Sequence, residues 1–342
     1  MILQMLQLLF KAGSRLLLPA LLLFGAAPAT AQVQIGSAEV PTMNSPGRMS
    51  KEDFAAVKNT TTLFVLQSKD AGRVAEFEQA IGQVWKVTPF RVILPDDMDR
   101  YASEEYSFFS FGGYVMTNTN SGGTTVHITY DLWRPKYNKD GEWRGRKLYA
   151  RISLSPDEKS MFQIMRKNWV WGNKKKAKSE STDILYTTAT FDNWGPGIIK
   201  GYVKIVNDRL IAEQRQGPAS RNTDEALLKN LMRDTLFVPH YVNDNFSPFS
   251  GKRHISEEAD EADVSDVYPF PIRYVSSEEL NQMLLHRTTP FYYLVFIRDS
   301  NQKFVNVFDG VTGRPVFSAF TPMSFNFKKK DLGRLAKEVK KS

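Results

Sequence analysis

Cysteine is absent from this 342-residue chain, and histidine occurs only four times. The first absence removes disulfides, thiolate metal sites, cysteine nucleophiles and dithiol redox chemistry together. The second leaves His127, His240, His254 and His286 as the whole imidazole complement. No two of them stand at metal-ligand spacing, and HExxH and HxH patterns are missing. GxSxG, Walker A, strand-borne GxGxxG and kinase signatures are missing as well. Beyond residue 31 no stretch approaches the about 20 apolar residues of a membrane-spanning helix. A cofactor enzyme is therefore the last choice among function classes, and neither cofactor nor metal is expected.

The N-terminus has what a secretion signal needs. Lys11 and Arg15 precede the apolar core Leu16-Leu17-Leu18-Pro19-Ala20-Leu21-Leu22-Leu23-Phe24, and Ala29-Thr30-Ala31 supplies a small-x-small cleavage site. The expectation is a signal peptide over 1–31, cleaved after Ala31 to leave Gln32, with an uncleaved anchor as the alternative. No cysteine follows the apolar core, which excludes a lipoprotein anchor. Export without disulfides points to a periplasmic or secreted bacterial protein.

The formal net charge is +8, and falls to +6 if Lys11 and Arg15 leave with the signal. The 45 cations are interspersed with 37 carboxylates, which favours a solvated mixed surface over nucleic-acid binding.

Gln32 to about Lys51 is rich in Pro, Ser and Gly without an apolar period, and the expectation is a flexible lead-in over 32–57, with order beginning near Lys58. Two units then follow, 58–216 and 223–342, separated by a candidate linker at Gln214 to Asn222. In the first, Thr60 to Leu66 and Pro89 to Leu94 have strand composition. Between them Val74, Phe77, Ala80, Ile81, Val84 and Trp85 follow helical spacing. A short acidic-capped helix at Asp96 to Tyr101 leads to strands at Tyr106–Met116 and Thr124–Trp133. In the second unit Asp234-Thr235-Leu236-Phe237-Val238 echoes Thr61-Thr62-Leu63-Phe64-Val65, and Tyr268 to Val275 echoes Thr88 to Ile93. Ser276 with Glu279 forms a capping box, and the strands Phe291 to Phe296 and Lys303 to Phe308 complete the echo. The expected fold is α+β, with two related β-α-β-α-β-β halves, mixed sheets and helical insertions between them.

Three inserted helices are expected. One is started by Ser155-Pro156-Asp157-Glu158, one follows Gly195-Pro196-Gly197, and one starts at Asn222 with Glu225. Leu332, Leu335, Ala336 and Val339 give the C-terminal Lys-rich segment a packing face.

The strongest candidate site is a hairpin with aromatic and basic residues near its Asn138–Gly141 turn: Trp133, Arg134, Tyr137, Trp143, Arg144 and Arg146. Trp169, Trp171, Lys174-Lys175-Lys176 and Trp194 extend the theme. Aromatics beside cations stack on sugar rings or hold anionic groups; against this stands a core role for the tryptophans. The clusters Asp96, Asp97, Asp99 and Glu257–Asp263 with Asp266 are read as helix-start and solvated acidic faces. Gly310-Val311-Thr312-Gly313 is read as a hairpin turn rather than a phosphate loop.

The β-α-β-α-β-β order, with Thr289-Pro290-Phe291 entering the last hairpin, resembles a thioredoxin-like half. Without cysteine, that resemblance carries over no redox residue. The hairpin Val307 to Val316 is similar to the strand-turn-strand of envelope proteins with a CsgG-like fold. Together these readings predict a non-enzymatic binding or assembly protein of the bacterial envelope. Its expected partners are an envelope protein, a glycan or an anionic lipid. The alternative is a secreted hydrolase whose site assembles from distant residues around His240.

Overall fold

A computed structural model describes residues 32–36, 47–117, 124–168, 182–217, 223–247, 264–298 and 302–342. Eleven strands among them form two mixed sheets. The first contains β1 (Val33–Ile35), β2 (Thr61–Val65), β3 (Phe90–Ile93), β4 (Tyr106–Thr117), β5 (Thr124–Tyr137) and β6 (Trp143–Leu154), in the order β1-β6-β5-β4-β2-β3. The second contains β7 (Leu236–Pro239), β8 (Ile272–Val275), β9 (Tyr292–Arg298), β10 (Gln302–Asp309) and β11 (Pro315–Pro322), in the order β11-β10-β9-β7-β8.

One pairing scheme occurs twice. β2 lies between parallel β3 and β4, and β5 and β6 then add antiparallel. β7 likewise lies between parallel β8 and β9, followed by antiparallel β10 and β11. The expected α+β class with mixed sheets is therefore what the chain adopts. Among the described residues, a regular helix stands between β2 and β3 in the first sheet and between β8 and β9 in the second.

Helices among the described residues include α1 (Lys51–Lys58), α2 (Val74–Val84), α3 (Glu158–Asn168), α4 (Pro196–Ile211), the short α5 (Glu225–Leu228) with a 3-10 extension to Met232, α6 (Ser277–His286) and α7 (Lys329–Lys341). α4 is buried nearly all round, from Pro196 to Leu210. Only a narrow stripe at Lys204, Asp208 and Ile211 reaches solvent, because the helix lies between layers. One continuous core joins it to α2, α6, the inner face of the first sheet (Phe64, Phe109, Ile128, Ile152) and the facing side of the second (Phe237, Tyr293, Ile297). A second core packs α5 and α7 on the far face of the second sheet through Leu294, Phe296, Val305, Leu335 and Val339. Strand β9 is buried at every position, in keeping with the apolar run from Tyr292 to Ile297 that ends at Arg298.

Several expectations are corrected. The lead-in over 32–57 is partly ordered. Val33–Ile35 is an edge strand on β6, and Ser50 with Asp53 closes a capping box that starts α1. Gln216, in the expected linker, is buried and exchanges backbone hydrogen bonds with Ile35 at 2.8 Å in both directions. Residues 218–222 lie outside the described residues. At the start of α3 the cap is Asp157, whose Oδ1 accepts from Ser160 N at 2.8 Å. Ser155 instead uses its Oγ to accept from Arg298 N at 3.2 Å, linking the ends of β6 and β9.

Candidate functional site

Alternation along β4, β5 and β6 puts Phe108, Ser110, Trp133, Asp131 and Arg151 on the face of the first sheet turned away from the main core. Asp131 is fully buried there. Arg151 donates to both of its oxygens, Nε to Oδ1 and Nη2 to Oδ2, each at 2.9 Å. Burial works against the charge on Arg151, but the carboxylate outweighs it and raises the guanidinium above its ordinary range. The same guanidinium lies 4.6 Å above the Tyr114 ring, which stacks on His127 at 4.6 Å.

A second guanidinium, that of Arg146, stands 3.8 Å from Asp131 Oδ2. One carboxylate thus faces two cations. The excess charge points along the sheet toward Trp133, whose ring centre is 6.0 Å from the Arg146 guanidinium carbon. Burial pushes the neighbouring Tyr186 hydroxyl up to about 12, partly relieved by hydrogen bonds to Ser110 and to the Phe111 carbonyl.

The six predicted hairpin residues divide by what they touch. Trp133 is anchored: it stacks on Phe108 at 4.8 Å and its Nε1 donates to Ser110 Oγ at 2.7 Å. Arg134 is taken up by the loop before β4, where Nε donates to the Glu104 carbonyl at 2.7 Å and Nη2 to its carboxylate at 2.9 Å. The Tyr137 hydroxyl donates to the Ala102 carbonyl at 3.0 Å, so the same loop supports both residues. Trp143 is 55% exposed and stands nearly perpendicular to Trp133 and Tyr137, with ring centres at 6.2 and 6.0 Å. Arg144 and Arg146 are exposed beside it, Arg144 within 3.5 Å of Glu142. The result is a half-rigid aromatic corner with one large ring in water and two cations alongside. It can hold an anionic group next to an apolar ring face.

Trp194 does not belong to this surface. It is a core pillar that contacts Phe111 and Tyr130, and its Nε1 donates to buried Asp70 at 2.9 Å. Trp169, Trp171, Lys174–Lys176, His254 and Glu257–Asp263 lie outside the described residues. His240 is exposed at the end of β7 with its ring 6.2 Å from Tyr274, and His286 is exposed at the end of α6. Asp97 pairs with Arg100 at 2.8 Å within a 3-10 helix over Pro95–Tyr101.

Sequence reasoning missed Asp131 and Arg151, although a charged residue at the centre of an alternating strand is the signal for such a pair. It also missed the junction of the two sheets. There Arg298 is fully buried, and its three side-chain nitrogens have no hydrogen-bond partner among the described residues. Its guanidinium lies 4.1 Å above the Phe246 ring. Burial lowers its affinity for the proton, against the pull of Asp192 and Asp244. Asp192 is pushed up to about 7 by its own burial, the nearby Arg298 opposing.

No protein-family model, curated protein or solved structure matches the chain.

Proposed function

We propose that this chain is an exported, non-enzymatic binding or assembly protein of the bacterial envelope, and that the β5–β6 hairpin is its contact surface. The exposed Trp143 carries the reading. A large indole held in water by two orthogonal aromatic neighbours presents a flat apolar face at little entropic cost. The arginines beside it select for negative charge. An anionic glycan satisfies both features, since a sugar ring stacks on the indole while its acidic group meets Arg144 and Arg146. The signal-like first 31 residues support export, and the repeated strand-pairing scheme supports an origin of the two halves by duplication.

The test is titration of the full chain, followed by tryptophan fluorescence, with an acidic polysaccharide and with its uncharged counterpart. The reading expects saturable binding to the acidic polymer alone, abolished in W143A and in the R144E/R146E double variant. Equal binding to both polymers, or unchanged binding by these variants, overturns it. Recovery of a tagged chain from the periplasm with Gln32 at its N-terminus tests export separately.

A further inference from the structure

The charge of this protein is concentrated at one end. Between Lys328 and Ser342 stand seven cations and two carboxylates, a balance of +5 out of the +8 of the whole chain. The fold then separates the signs. Leu332, Leu335, Ala336 and Val339 turn inward from α7 onto the second core. Lys330, Arg334, Lys337 and Lys341, spaced by four, three and four residues, fall opposite them and are exposed. Of the two carboxylates, Asp331 is buried and held by Lys303 Nζ and by Lys328 N. Glu338 lies at the side of the stripe and reaches only its last member, Lys341, at 3.0 Å. Lys229 and Arg233 are also exposed, on the turn after α5 that packs against α7.

A second feature borders this stripe. Met323, in the turn between β11 and α7, is 90% exposed at φ +51. That backbone conformation is strained for a side-chain-bearing residue and free of strain for glycine. The turn is tied to the helix and the sheet on both flanks. Arg334 Nη1 donates to the Phe320 carbonyl at 3.2 Å, and Lys303 Nζ to the Asn326 carbonyl at 2.7 Å. Met323 stands three positions after Phe320 in the chain, a reach of at most about 11 Å. An unbranched apolar side chain is thus held in water beside a face of one-signed charge.

We infer that the α7 face with the Met323 turn docks on an anionic phospholipid bilayer surface. Ammonium groups dominate the stripe, and they act as point charges rather than as forks that read a planar ligand. Long-range attraction to a charged surface needs no more than that. The methionine fits the headgroup boundary of such a surface, whereas a phosphate backbone or an acidic protein stripe offers it no apolar medium. This face lies on the second sheet and is independent of the hairpin reading.

The experiment is co-sedimentation of the full chain with vesicles of pure phosphatidylcholine, or of phosphatidylcholine with phosphatidylglycerol, at low and high salt. The inference expects binding to the anionic vesicles at least about tenfold tighter than to the neutral ones, released by high salt. K330Q/R334Q/K337Q/K341Q, with an unchanged circular dichroism spectrum, should lose at least about tenfold in affinity. M323S should weaken binding severalfold while leaving the salt dependence unchanged. Equal binding to neutral vesicles, no vesicle binding, or full binding by the quadruple variant overturns the inference. So does binding to a short DNA duplex at low salt that exceeds binding to the anionic vesicles. If the quadruple variant unfolds, M323S and the salt series decide.

Discussion

Asn281 Oδ1 accepts a hydrogen bond from the backbone N of Gly197 at 2.8 Å, joining the first turn of α4 to the middle of α6 across 84 residues of sequence. The contact works only because residue 197 has no side chain. A Cβ there would lie 2.6 Å from Leu284 Cβ and 2.9 Å from the Asn281 carbonyl oxygen, both on a packed helix. G197A should therefore destabilise by about 1–3 kcal/mol through overpacking. N281A, which leaves the buried Gly197 N–H unpaired, should cost about 1–3 kcal/mol. Urea unfolding measures both, and a G197A midpoint equal to that of the parent chain would show that α4 and α6 are not locked at this point.

Trp133 and Trp143 touch, yet they should separate in experiment. W143A removes a mostly exposed ring and should change stability by no more than about 0.5 kcal/mol. W133A removes the stack on Phe108 and the bond to Ser110, and should cost roughly 2 kcal/mol. Binding to an acidic polysaccharide should follow the opposite order, with W143A the more damaging at equal folded fraction. A large stability loss in W143A would mean that the indole packs instead of projecting.

The order of elements was readable because apolar period and capping chemistry are local. Val74, Phe77, Ala80 and Ile81 repeat at helical spacing, and Ser276 finds Glu279 three residues on. The edge strand Val33–Ile35 was not readable, since its three residues acquire order only from β6 and Gln216. Local pattern points Ser155 to the α3 cap, but its hydroxyl oxygen accepts from the distant Arg298 backbone N instead. The hairpin aromatics were visible as a cluster. Which of them stays in water depended on Phe108, Ser110 and the Ala102–Glu104 loop, none of them adjacent in sequence to the hairpin.

The pair formed by Lys303 and Asp331 is buried and also caps α7. Burial lowers the affinity of Lys303 for its proton, and Asp331 restores part of it. D331A strands the ammonium and removes the cap together, so it should cost about 3–5 kcal/mol. K303M/D331L removes both charges and should cost markedly less, since only the cap is lost. Thermal unfolding of the single and double variants checks the order, and a double variant as unstable as D331A would show that charge burial is not the main cost.

Asp192 should give this protein a pH dependence opposite in sign to that of an ordinary paired carboxylate. Its ordinary value is 3.8 and burial pushes it up to about 7 in the folded chain. Between those values the folded state keeps a proton that the unfolded state has released. Stability from this group is therefore full below about pH 4, falls as pH rises to about 7, and is level above that. Other carboxylates contribute the reverse slope; Asp53, whose affinity for the proton is lowered, is one. The quantity to measure is accordingly the difference in unfolding free energy between the parent chain and D192N across pH 4–8. That difference should shrink steadily in favour of D192N as pH rises. Arg298 is the cation that opposes the shift, so in R298M the falling limb should extend to higher pH. A difference curve that is flat, or that rises with pH, would place Asp192 in a hydrated, ionised state and remove the junction between the two sheets as a proton-linked element.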